Sequence, residues 1–162
     1  MLNHFNMLSA DEFEKIRDAV PLITILIAGA DGKFDKSQIE WAEKVTKIRS
    51  YNYKDDMKAF YLEVGKDYHE KLVKYIGDFP TNVADRNKII SERIALINPL
   101  MAKLDMTFGA NLYDSFVTFA EHVAKSSGGI FGFFTINKAE AALIGLPMVT
   151  PITAPSTEEE EE

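Results

Sequence analysis

Apolar residues recur every three or four positions along almost the whole chain, and this spacing restricts the fold more than any other feature. Phe13, Ile16, Val20, Ile23, Ile27 and Ala30 form one such row, the signature of a helix with a single buried stripe. Ile39, Ala42, Val45 and Ile48 form the next. Met57, Phe60 and Val64, then Leu72, Tyr75 and Ile76, continue it around a break at Gly65. Ile89, Ile90, Ile94 and Ile97 run up to Asn98-Pro99, and Leu112, Phe116, Phe119, Ala120 and Val123 mark a further helix. No alternating, strand-like run competes with them. Pro21 interrupts the first row, and a proline inside a helix removes one hydrogen bond and crowds the preceding turn. A kink there, or a new helix starting at Pro21, is expected. The pattern predicts an all-α, single-domain bundle of about six to seven helices. A chain of 162 residues is long enough to bury roughly 68–70% of its unfolded surface without covalent staples.

Helix starts share a grammar. Ser9 with Glu12, Asp35 with Gln38, and Asn137 with Glu140 each place a small capping side chain three positions before an acid or amide. The pairs Leu8/Phe13, Phe34/Ile39 and Ile136/Ala141 flank them. In this arrangement the cap oxygen takes the free N3 amide, the N3 side chain returns to the cap amide, and the flanking apolar pair closes over the turn. Thr81, in the turn "DFPTNVAD", is predicted to cap another helix.

Charge and composition exclude several classes. There is no cysteine, so disulfides, thiolate metal sites and cysteine nucleophiles are absent. Removing the five glutamates Glu158 to Glu162 from the net charge of −7 leaves −2 for the rest. The end, "PITAPSTEEEEE", reads as a disordered acidic tail over 151–162, after a domain spanning 1–150. No basic stripe with interleaved aromatics is present, which argues against nucleic acid. The apolar run Val20 to Ala30 falls well short of the ~20 residues a membrane span requires. The opening residues lack a signal-peptide pattern, and a cytoplasmic location is expected.

The stretch "IAGADGKFDKSQIE" (27–40) raises the question of calcium. An EF-hand loop needs oxygen ligands at positions 1, 3, 5, 7, 9 and 12 and glycine at 6. With Gly32 at the glycine position, the first ligand position becomes Ile27 and the last Gln38. With Asp31 first, the glycine position becomes Lys36 and the last Ala42. Both registers fail. A helix end, a left-handed Gly32 and an Asp35 cap account for the stretch as a tight connection. Asp31, Asp35 and Glu40 still place three carboxylates near one turn, a set suited to weak calcium or magnesium binding. Zinc is disfavoured, since no cysteine exists and His4, His69 and His122 lack ligand spacing. No nucleophile elbow or phosphate loop is present, and no enzymatic activity is expected. The Gly-rich, aromatic stretch Gly128, Gly129, Ile130, Phe131, Gly132, Phe133 is a candidate interaction loop, expected to form an apolar cap over the bundle. Trp41, Tyr51 and Tyr53 are expected to pack inside.

Two motifs resemble the TerB-like (tellurite-resistance) helical family. The first is Ala28, Ala30, Asp31, Gly32, Phe34 and Asp35, with Gln38 where the family has Glu. The second is Ser127, Gly128, Gly129, Gly132, Phe133, Ile136 and Glu140. The resemblance implies pseudo-repeated helix-turn-helix halves and a non-enzymatic, stress-linked accessory role, with an acidic metal-binding surface in some members. Phe133-Phe134 occupy the position of the Asp-Gly acid in the second motif, so a symmetric pair of metal sites is not expected. The partner is expected to be another protein. The alternative is a module for a small apolar ligand or lipid, held in a cavity behind Ile130 to Phe134.

Overall fold

Ser9 opens the first long helix as its sequence predicts. Its Oγ accepts the Glu12 amide at 3.1 Å, and the Glu12 carboxylate accepts the Ser9 amide at 3.0 Å. The computed structural model describes residues 3–30, 32, 34, 36–125 and 138–155. They form a short 3-10 turn at Asn3–Phe5 and the helices α1 (Ala10–Ala28), α2 (Lys36–Asn52), α3 (Asp55–Gly65) and α4 (Tyr68–Asp78). After these come α5 (Val83–Ala95), the single turn α6 (Asn98–Met101), α7 (Met106–Lys125) and α8 (Lys138–Leu143). No strand occurs among the described residues, and the chain is an all-α bundle.

Helix α1 is the axis. It packs against α2, α3, α4, α5, α7 and α8. Every residue from Ala19 to Ala28 is buried, as expected of a helix apolar on all sides. Pro21 neither breaks this helix nor starts a new one, since α1 runs continuously from Ala10 to Ala28. Neighbours on all sides hold the turn whose hydrogen bond the proline removes. One polar group sits in this wall. The Thr24 hydroxyl donates to Val20 O at 2.9 Å and lies 2.6 Å from the Tyr68 hydroxyl.

The turn after α1 has the expected left-handed glycine, with Gly32 at φ 96°. A second requirement was not visible in the sequence. A Cβ at Gly29 would lie 2.8 Å from both Arg86 Nη2 and Phe34 Cε1, and 3.0 Å from Ile25 O. Gly29 is therefore needed for close approach. The α5 cap is Asn82, not Thr81: the Asn82 side chain accepts the Asp85 amide at 3.0 Å. The C-terminal segment is tied down by Asn98, whose Nδ2 donates to Met148 O and whose Oδ1 accepts the Thr150 amide, both at 2.9 Å. Ile152 still packs against the core, so the body extends past the boundary expected at 150. Residues 156–162 of the expected acidic tail lie outside the described residues.

Candidate functional site

The starts of α2 and α8 meet. Gln38, in the first turn of α2, is fully buried, and its Nε2 donates to Glu140 Oε1 at 2.8 Å and to Ala124 O at 3.3 Å. Glu140, in the first turn of α8, is 3% exposed. These are the N3 residues of the two motifs, 102 positions apart. These bonds join the first turns of α2 and α8 to the C-terminal end of α7. The Gln38–Glu140 bond offsets part of the cost of burying an amide and a carboxyl there. In the turn after α1, Arg86 from α5 donates to Gly29 O at 2.6 Å and lies over the Phe34 ring at 4.5 Å. Burial pulls the Arg86 guanidinium below its ordinary value.

The expected metal ligands divide. Asp31 and Asp35 lie outside the described residues. Glu40 is on the surface of α2, 4.0 Å from Lys36 one turn earlier. Among the described residues, no three histidine or acidic side chains are grouped to hold a metal ion. Gly128, Gly129, Ile130, Phe131, Gly132 and Phe133 lie outside the described residues as well, as does the cavity expected behind them.

The histidines are separate. His4 donates its backbone amide to Asp56 Oδ2 at 2.7 Å, its Nδ1 lies 2.6 Å from the same oxygen, and its ring stacks on Phe108. This fixes the N-terminal turn to α3 and α7. His69 faces Glu43 at 3.5 Å. Burial, then Arg49 and Lys125, lowers the pKa of His122. Trp41 and Tyr51 are surface residues, not the packing residues expected, and only Tyr53 packs against the core.

Sequence reasoning missed three arginines. Arg49 in α2 is 6% exposed. Its Nη1 donates to the Tyr61 hydroxyl at 2.9 Å and to Ser115 O at 2.5 Å, and its Nη2 donates to Thr118 Oγ1 at 2.9 Å. Its guanidinium carbon lies 5.2–5.6 Å from the Tyr53, Tyr61 and Phe119 rings. Tyr61 passes the chain on to Ser115 Oγ, and Ser115 to Leu112 O. The knot joins α2, α3 and α7, and burial raises the Tyr61 pKa. Arg17 bridges α1 to Glu63 and Asp67 at the α3–α4 corner, with Lys71 reaching back to Glu14 and Asp18. Arg86 is the third. For Arg49 and Arg86 a signal existed: Val45-Arg49 and Arg86-Ile90-Ile94 put a charge on the apolar stripe at i, i+4.

Among the described residues no helix is long and apolar enough to cross a membrane. Comparison with the models of known families, with curated proteins and with solved structures gives no match.

Proposed function

We propose that the chain is a non-enzymatic, TerB-like accessory protein of the cytoplasm, linked to stress such as tellurite exposure, that acts by contacting another protein. On this reading its working face is the end of the bundle where α2 and α8 begin. The Gln38–Glu140 bond supports the reading, because it pairs one residue of each TerB-like motif. The interior polar side chains also favour a structural role. Arg49, Thr24, Tyr61 and Tyr68 are engaged with one another or with backbone oxygens. The reading includes weak calcium or magnesium binding at Asp31, Asp35 and Glu40, with water filling the remaining positions.

The test is photo-crosslinking in cells, with the reactive group at Glu40 near this end or at Met106, which begins α7 at its far end. A discrete protein adduct from position 40 and none from 106 is expected. Equal patterns, or no adduct from 40, contradict the reading. Calcium titration followed by backbone amide shifts tests the metal separately. Saturable shifts abolished by Asp31→Asn, with a Kd no tighter than the order of 10⁻⁴ M, are expected. No shift at millimolar calcium removes metal from the account.

A further inference from the structure

Away from the motif end, a groove of about 460 Å³ lies between α4 and α5, lined by Lys74, Tyr75, Asp78, Phe79, Pro80, Ile89 and Arg93. Its size is within the roughly 300–1,000 Å³ of small-molecule sites. Its floor is built from stacked rings, with Tyr75 and Phe79 centroids 5.2 Å apart at 25°. The Arg93 guanidinium carbon sits over both, 5.1 Å from Phe79 and 5.7 Å from Tyr75. The Tyr75 hydroxyl donates to Asp18 at 2.6 Å on the side of α1, which anchors the floor. Burial first, and Asp18 second, raises the Tyr75 pKa, so the phenol stays neutral.

The rings hold Arg93 in place without using its donors. Among the described residues its side chain makes no hydrogen bond or ion pair, and neither does that of Lys74. A guanidinium held by its face and unoccupied at its edge is suited to a planar oxyanion, which it can meet with two parallel hydrogen bonds. Lys74 adds a second positive charge. Asp78 opposes them, leaving a net single positive charge in the groove, which fits a ligand of low charge better than a polyanion. Pro80, Ile89 and the Phe79 ring offer apolar contact to the rest of such a ligand.

We propose that this groove binds a small organic anion, a carboxylate or phosphate carried on a flat apolar body. The site is independent of the accessory role, since it lies on other helices. The full-length protein is titrated with benzoate and with phenyl phosphate, and backbone amide shifts are followed. Benzyl alcohol, which lacks the charge, and inorganic phosphate, which lacks the body, are the comparisons. Saturable shifts at Lys74 to Phe79 and Ile89 to Arg93 are expected for the two organic anions. Each comparison compound should bind about tenfold more weakly, and Arg93→Gln should weaken the organic anions about tenfold, as loss of a charge-assisted hydrogen bond does. Arg93→Lys should fall between, because an ammonium cannot form the fork. Thermal melts of both variants verify the fold. Absence of saturable shifts, an unchanged affinity in Arg93→Gln, or equal affinity for benzyl alcohol or inorganic phosphate overturns the proposal.

Discussion

Arg49 and Arg93 are the same chemical group in similar company. Each guanidinium lies against aromatic rings, and among the described residues neither has a carboxylate in ion-pair reach. They differ in what occupies their donors. Arg49 is buried, and a tyrosine hydroxyl, a backbone oxygen and a threonine hydroxyl from two other helices fill its fork. Arg93 is on the surface with its edge open to a groove. A filled fork ties elements together, whereas an empty one is a recognition group. Arg86 lies between the two. It is 4% exposed with one donor on Gly29 O, and its buried Nε has no partner among the described residues.

That series sets the order of effects. Arg49→Met should cost about 3 kcal/mol, because it removes three hydrogen bonds to Tyr61, Ser115 O and Thr118 at once. Arg49→Lys should recover only part of this, since a point charge cannot serve Tyr61, Ser115 O and Thr118 together. Chemical denaturation measures both, and an Arg49→Met protein as stable as the parent would dissolve the contrast. Arg86→Met should cost about 1–2 kcal/mol, since Gly29 O loses its charged donor and keeps only the Gly32 amide. Gly29→Ala should act on the same spot with a similar loss of about 1–3 kcal/mol, as overpacking does. Arg93→Gln should change stability by no more than about 1 kcal/mol, the scale of an exposed cation–π contact.

A smaller effect concerns acid. Lys71 and Arg17 outweigh the burial that opposes ionisation of Glu14, and its folded pKa is lowered. The corresponding stability is present above the unfolded carboxylate value of roughly 4.3 and is lost as pH falls through the folded one. Glu14→Gln should therefore lower the denaturant midpoint slightly near neutrality, leave it unchanged in acid, and so flatten the fall below about pH 4.3. An unchanged acid slope would show that the Arg17–Lys71 network does not involve this carboxylate.

The helices were legible because their apolar periods are long and no strand-like alternation competes with them. The Ser9 box was legible because capping is local chemistry between neighbours. Polar burial was harder, though it left a trace. Gln38 precedes Ala42, Asp56 precedes Phe60 and Arg86 precedes Ile90, each by one turn, and Arg49 follows Val45 by one turn. A polar residue extending an apolar stripe is thus a sign of burial, but its partner comes from another helix and cannot be read locally. Gln38 reads as one arm of a local cap, and its Nε2 also reaches Glu140, 102 positions away. The Arg93 groove gave less warning, since exposed arginines are ordinary and its rings come from α4. At Pro21 the helix runs on without the break that was one of the two expected outcomes, because propensity is local while the packing around α1 is not.

The most direct test follows the arginine Nε–Hε signals by NMR as phenyl phosphate is added. The Arg93 signal should move and saturate with the amides of α4 and α5, while those of Arg49 and Arg86 stay in place. Movement of Arg49, or no movement of Arg93, would contradict the distinction between a sealed and an open guanidinium.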